Sequence, residues 1–286
     1  MILSNDTIVI EVAEQGAELV SLKKGVREYL WNGDYAFWNR HAPILFPAVG
    51  KPFNNELHID GKSYVMKQHG FARDSAFEAL GDGRLQMAHT VSTEQYPYLF
   101  SLEAQYRLSG SSVEVIWTVT NLDSRDMHFQ IGAHPGFMLP AYNADDTTHG
   151  LIRYYDRDGS PVSPIIVSAL DDGNRIPLAA PRRIPAEMPV TADTFAHDAL
   201  IFEDSQVAKA VLCDKQGIPV LSVSCPQAEA FGIWAPHKEG CPFVCLEPWC
   251  GICDTKGFSG DISDRSYSNR LAPKAQYRFT YTIDIL

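Results

Sequence analysis

Hydrophobic and polar residues alternate with a period of two over much of the chain. In Gln276 to Ile285, Tyr277, Phe279, Tyr281, Ile283 and Ile285 fall on one face. Arg278, Thr280, Thr282 and Asp284 fall on the other. Successive side chains of a strand point to opposite faces, so the pattern predicts a strand with one face in a core. Val113, Val115, Trp117 and Val119 repeat it. Glu56 to Ile59 and Lys62 to Met66 flank Asp60-Gly61. That dipeptide suits a type I′ hairpin turn, because both central residues need positive φ. Three more hairpins are predicted. Phe77 to Leu80 and Arg84 to His89 meet at Gly81-Asp82-Gly83, and Leu99 to Leu108 and Ser112 to Thr120 meet at Ser109-Gly110-Ser111. Val207 to Cys213 and Ile218 to Ser224 meet around Asp214 to Gly217. No segment of about ten residues combines 3.6-residue periodicity with caps. The expectation is an all-β sandwich or barrel. No repeat of fixed period points to a propeller.

The stretch 141–196 reads differently, with Pro161, Pro164, Pro177, Pro181, Pro185 and Pro189. Strands on both sides look alike. The expectation is one domain over residues 1–286, with 141–196 as a Pro-rich insertion over one rim of the sandwich. Long loops on a rigid scaffold often shape binding sites.

Composition narrows the class. The chain has 286 residues, 21% of them charged and 45% hydrophobic. That excludes wholesale disorder, a collagen-like fibre and a membrane bundle. The net charge of −11, from 24 basic and 35 acidic residues, is opposite to the footprint of a nucleic-acid-binding protein. It also disfavours an anionic membrane surface. The N-terminus lacks a basic n-region, Glu11 and Glu14 interrupt its apolar stretch, and no run reaches the roughly 18 apolar residues of a span. A cytoplasmic monomer or homodimer is expected. Cys213, Cys225, Cys241, Cys245, Cys250 and Cys253 all lie from residue 213 onward. The Phe243-Val244-Cys245-Leu246 run reads as buried strand, where free cysteine behaves as a small hydrophobe. Packed thiols are expected, with a zinc site or a Cys250-x-x-Cys253 redox pair as alternatives.

Four segments do not read as ordinary core strand: Trp38 to Pro47, Gln68 to Arg73, Ile131 to Phe137 and Leu246 to Gly251. Each places an ionisable residue at an apolar strand end, beside Gly, Pro or an aromatic. Burying a carboxylate is costly without partners, so Glu247 should face a cavity or an arginine. His134 stands beside Pro135, where backbone groups can hold the ring. It reads equally as a structural or a functional residue. His69 taken alone reads as a loop-stabilising donor. His41, His58, His89, His128, His149 and His237 lack comparable settings and read as packing or surface residues. There is no G-x-S-x-G elbow, no phosphate loop, no G-x-G-x-x-G and no H-E-x-x-H. What remains is a proton-transfer and polyol-binding inventory of His, Glu, Arg and Trp.

These motifs resemble the aldose 1-epimerases, or galactose-mutarotase-like proteins, and within them the shorter bacterial LacX-like branch. The resemblance runs from Gly16-Ala17-Glu18-Leu19-Val20-Ser21 and Glu28-Tyr29-Leu30-Trp31, through Ala42 to Pro47 and Gln68 to Arg73, to Glu247-Pro248-Trp249 and the last strand. It implies a large antiparallel β-sandwich with a sugar site in a cleft. By motif position, His134 resembles the family's general acid and Glu247 its general base. Arg40 and His69 resemble its hydroxyl-binding pair. Asp198, in His197-Asp198-Ala199-Leu200-Ile201-Phe202, is similar to its sugar-binding aspartate. The Gln-His-Gly-Phe-Ala-Arg form departs from the galactose mutarotases proper and looks more like the sugar-phosphate and LacX-like branches.

The resemblance implies a small-molecule sugar as partner, no cofactor and no metal. It also implies an imidazolium at His134, favoured by Glu247 nearby. Arg73 is expected to pair with a nearby acid, around Asp74 or at a strand end. Two rival readings are a hexose-6-phosphate 1-epimerase, with Arg73 and Arg182 or Arg183 at the phosphate, and a non-catalytic sugar-binding or sensing module on the same fold.

Overall fold

Asp60 and Gly61 adopt φ of 51° and 74°, and Glu56–Ile59 pairs antiparallel with Lys62–Val65 across them. The other predicted hairpins form too: Glu78–Gly81 with Arg84–His89, Phe100–Ser109 with Ser112–Asn121, and Lys209–Cys213 with Pro219–Ser224. The computed structural model describes residues 1–89 and 95–286. Among them, helical structure is confined to 3-10 turns of three residues. Among the described residues no helix is long and apolar enough to cross a membrane.

The strands form two large layers. Nine make one sheet, in the order Glu187–Val190, Gly150–Tyr155, Lys209–Cys213, Pro219–Ser224, Gln276–Ile285, Ser112–Asn121, Phe100–Ser109, Arg84–His89 and Glu78–Gly81. The facing sheet runs Leu200–Phe202, Ala230–Trp234, Phe243–Cys250, Ile131–Ala133 and Ile44–Leu45, with Gly136–Met138 also paired to Phe243–Cys250. One apolar core joins them: Val115, Trp117, Phe279 and Ile283 from the first, Ile44, Ile131, Val244 and Leu246 from the second. Trp117 stacks on Phe279 with centroids 5.4 Å apart. Each such side chain contributes about 1.5–3 kcal/mol on burial. The architecture is an antiparallel β-sandwich, the one of the two all-β forms left open by the alternation that the resemblance implied.

The stretch 141–196 is only partly a rim. Gly150–Tyr155 and Glu187–Val190 are strands of the nine-stranded sheet. Between them a hairpin, Ile165–Asp171 with Asn174–Arg183, projects from it. Its tip is tied down: Lys51 Nζ lies 2.6 Å from Asp172 Oδ2, Lys256 pairs with Asp171, and Asn174 Nδ2 donates to the Lys51 carbonyl at 3.0 Å.

Candidate active site

Every residue of Phe243–Cys250 is buried, and the alternation sorts the two faces. Val244 and Leu246 enter the main core. Phe243, Cys245, Glu247 and Trp249 point to the opposite, outer face of the sheet. A cavity of about 380 Å³ lies there. Glu247 and Trp249 form part of its floor, and neighbouring strands supply Ile201 and Trp234. His134 enters just after Ile131–Ala133, whose Gly132 pairs with Trp249. The projecting hairpin contributes Leu170 and Gly173.

His134 Nε2 lies 3.1 Å from Glu247 Oε2, but off the line of a hydrogen bond. Both Glu247 oxygens, His134 Nδ1 and the Trp249 N–H lack partners. Glu247 is 1% exposed and His134 7%. Burial pushes the Glu247 carboxyl well up, and the Asp198 charge adds to it. The Trp249 indole N–H pulls the other way without reaching a hydrogen bond. Burial drives His134 down to about 3, reinforced by Arg73. Burial thus disfavours the imidazolium that is expected at ring opening. Removing water from a charged ring is costly, and the neighbouring carboxyl does not offset it. Trp38 stacks on the His134 ring at 4.8 Å and Trp234 meets it edge-on at 5.5 Å.

His69 also lines the cavity. Its Nδ1 accepts the Gly50 N–H at 3.1 Å, which leaves the ring proton on Nε2 as a donor. Burial holds it well below its ordinary pKa, with Arg73, His134 and Arg40 adding to the effect. Asp198 stands exposed at the rim. His69 and Asp198 both occupy left-handed backbone, φ 67° and 73°. Such positions cost non-glycine residues on the order of 1 kcal/mol and cluster at functional sites.

Four of the five sequence-derived site residues thus line one cavity: His69, His134, Asp198 and Glu247. Arg40 does not. Its Nη2 donates to Asp74 Oδ1 at 2.7 Å, although its charge reaches His69 and His134. The expected pairing of Arg73 with an acid near Asp74 is corrected by the same contact, since Arg40 takes that carboxylate. Arg73 instead lines the cavity and donates to the Gln68 carbonyl at 2.7 Å. Its Nε is buried and unpartnered, and burial followed by Arg40 lowers its pKa to about 10. Arg182 and Arg183 are exposed and line no part of this cavity. Among the described residues the cysteines form no shared ligand cluster, although Cys241 packs beside Cys245. Cys250 donates to the Gln227 carbonyl, and Cys253 packs beside Trp249 and Ile252. The side chain of His89 lies outside the described residues. Sequence reasoning did not single out Trp234, Leu170 or Gly173. No local pattern marks them, because a separate hairpin and strand bring them to the cavity.

A sandwich of this topology, with its cavity on the outer face of the smaller sheet, has the galactose-mutarotase-like fold. Its solved relatives include a galactose mutarotase-related enzyme from Lactobacillus acidophilus, 27% identical, with a TM-score of 0.88 over 100% of this chain and 97% of that one. Another is a galactose mutarotase-like protein from Lactobacillus casei, 29% identical, with a TM-score of 0.87 over 100% and 99%. The chromosomal LacX protein of Lactococcus lactis is 26% identical over 299 residues, covering 99% of this chain and 98% of its own length. The aldose 1-epimerase family model matches residues 1–284, and the chain belongs to that family.

Proposed function

We propose that this protein is an aldose 1-epimerase, interconverting the α and β anomers of a free aldose by acid/base ring opening. The observation that carries this reading is the His134–Glu247 pair, 3.1 Å apart at the floor of a cavity flanked by indoles. Mutarotation opens a hemiacetal. A base takes the proton of the anomeric hydroxyl, an acid protonates the ring oxygen, and the aldehyde turns about C1–C2 before reclosing. Glu247 serves as base and His134 as acid.

The opposed shifts fit this task. The pair holds one proton. Burial alone places it on Glu247. A bound sugar supplies hydroxyls that hydrogen-bond the carboxylate, which lowers the cost of passing the proton to His134. Reclosure reverses each transfer, so both groups regain their starting state with no redox change. His69 donates from Nε2 to a hydroxyl, and Asp198 accepts one at the rim. Trp38 and Trp234 cover the apolar face of the ring. Each positioned acid or base contributes roughly 10²–10⁴-fold. In a mutarotation assay, Glu247→Gln and His134→Asn are expected to lower kcat by that order while KM changes little. Equal losses of turnover and affinity would favour the non-catalytic sugar-binding module instead.

A second reading rests on Arg73. Among the described residues this cavity-lining guanidinium makes no ion pair. A sugar phosphate would supply the missing anion, which supports hexose-6-phosphate 1-epimerase as the alternative. Loss of activity on glucose 6-phosphate but not on glucose in Arg73→Gln would favour it.

A further inference from the structure

The catalytic pair has a third neighbour that proton transfer does not use. A ring nitrogen of His134, the Cys245 sulfur and a Glu247 carboxylate oxygen all lie within 4.8 Å of one another. Cys245 and Glu247 are two residues apart on Phe243–Cys250 and so share its outer face. Cys245 is fully buried behind the cavity and lines no part of it. The Glu247 oxygens beside it are buried and unpartnered.

One imidazole, one thiol and one carboxylate, next to a cavity wide enough for water, match the ligand set of an open zinc site. Thiolate and imidazole together select borderline-soft cations over Mg²⁺ or Ca²⁺. Ligand bonds of 2.0–2.3 Å place the donor atoms of a tetrahedral site about 3.5 Å apart. A separation of 4.8 Å or less closes to that by small side-chain rotations. We propose that His134, Cys245 and Glu247 bind a thiophilic divalent cation of the Zn²⁺ class, and that its binding inhibits the enzyme. The cation takes the His134 lone pair and the Glu247 carboxylate, the two groups that ring opening needs. The thiol proton and the proton held on Glu247 both leave to solvent as the metal–sulfur and metal–carboxylate bonds form. This is not the site suggested by the C-x-x-C spacing, since Cys250 and Cys253 take no part.

Inhibition rests on the epimerase reading, whereas binding does not, and the test separates them. Chelator-stripped protein is titrated with Co²⁺ and followed by absorbance. The expected result is a thiolate-to-cobalt charge-transfer band, complete at one equivalent and displaced by Zn²⁺. It is lost in Cys245→Ser and in the fallback variant Cys245→Ala, and kept in Cys250→Ser. No band in the parent protein, or a band that survives removal of the Cys245 thiol, overturns the proposal. For inhibition, Cys245→Ser is expected to keep metal-free turnover and to need at least about 10-fold more Zn²⁺ for half-inhibition, the least that loss even of a group supporting a ligand costs. Equal Zn²⁺ sensitivity in parent and variant overturns the inhibitory role. A protein that shows the band but exchanges no anomers fails the epimerase reading alone.

Discussion

Breaking the His134–Glu247 pair should expose two pH dependences of opposite sign that cancel in the intact protein. When folded, the pair carries its one proton on Glu247, because burial raises that carboxyl from 4.5 and drives His134 from 6.5 to about 3. When unfolded, between those two ordinary values, it carries one proton on the imidazole. Equal proton counts give no slope. Glu247→Gln leaves a histidine that is neutral when folded and charged when unfolded. The unfolded state then binds more protons, so stability falls as pH drops below 6.5 towards about 3. His134→Asn leaves a carboxyl that is protonated when folded and ionised when unfolded, so stability falls as pH rises above 4.5. One full proton is about 1.4 kcal/mol per pH unit. Between about pH 5 and pH 6 neither unfolded group is fully in its limiting state, which leaves about 1 kcal/mol for each variant, in opposite directions. Urea unfolding at those two pH values, read against the Glu247→Gln/His134→Asn double variant, removes background from groups such as His69. Slopes of the same sign, or a flat Glu247→Gln profile, would refute the argument that desolvation dominates this site.

Gly232→Ala would bring a Cβ to 2.7 Å from Trp249 Cζ2. Overpacking of this kind costs about 1–3 kcal/mol. The expected outcome is a lower urea midpoint with reduced kcat, because the indole beside Glu247 is displaced; an unchanged kcat would separate Trp249 from the chemistry. Trp38→Leu should raise KM for aldoses through loss of the flat face beside His134, and steady-state kinetics check it. Exhaustive chelation should leave turnover undiminished, since the proposed ring opening needs protein groups alone; a loss restored by added metal contradicts that.

The long strands and tight turns were legible because their determinants are local. Asp60-Gly61 carries its own positive φ, and Gln276–Ile285 alternates because one face meets the core. The smaller sheet was harder to read. Ile44–Leu45 and Ile131–Ala133 are two and three residues long and buried on both faces, so no alternation marks them. The strands Gly150–Tyr155 and Glu187–Val190 were hidden among prolines, although Pro189 sits on an edge strand, where a missing N–H costs little. Glu247 could be read as facing a cavity because an apolar run cannot bury a lone carboxylate cheaply. The direction of its shift could not, because that depends on how completely the carboxyl is buried and on the approach of Asp198. Which of Arg40 and Arg73 takes Asp74 was likewise set by tertiary approach, not by spacing.

The central claim is that this cavity exchanges anomers by proton transfer through Glu247. NMR saturation transfer between the α and β anomeric protons tests it directly, with glucose, galactose and glucose 6-phosphate in turn. Exchange well above the buffer rate for at least one sugar, and its collapse in folded Glu247→Gln, is the predicted result. Exchange that persists unchanged in Glu247→Gln, or no exchange by folded protein with any of these sugars, would contradict it.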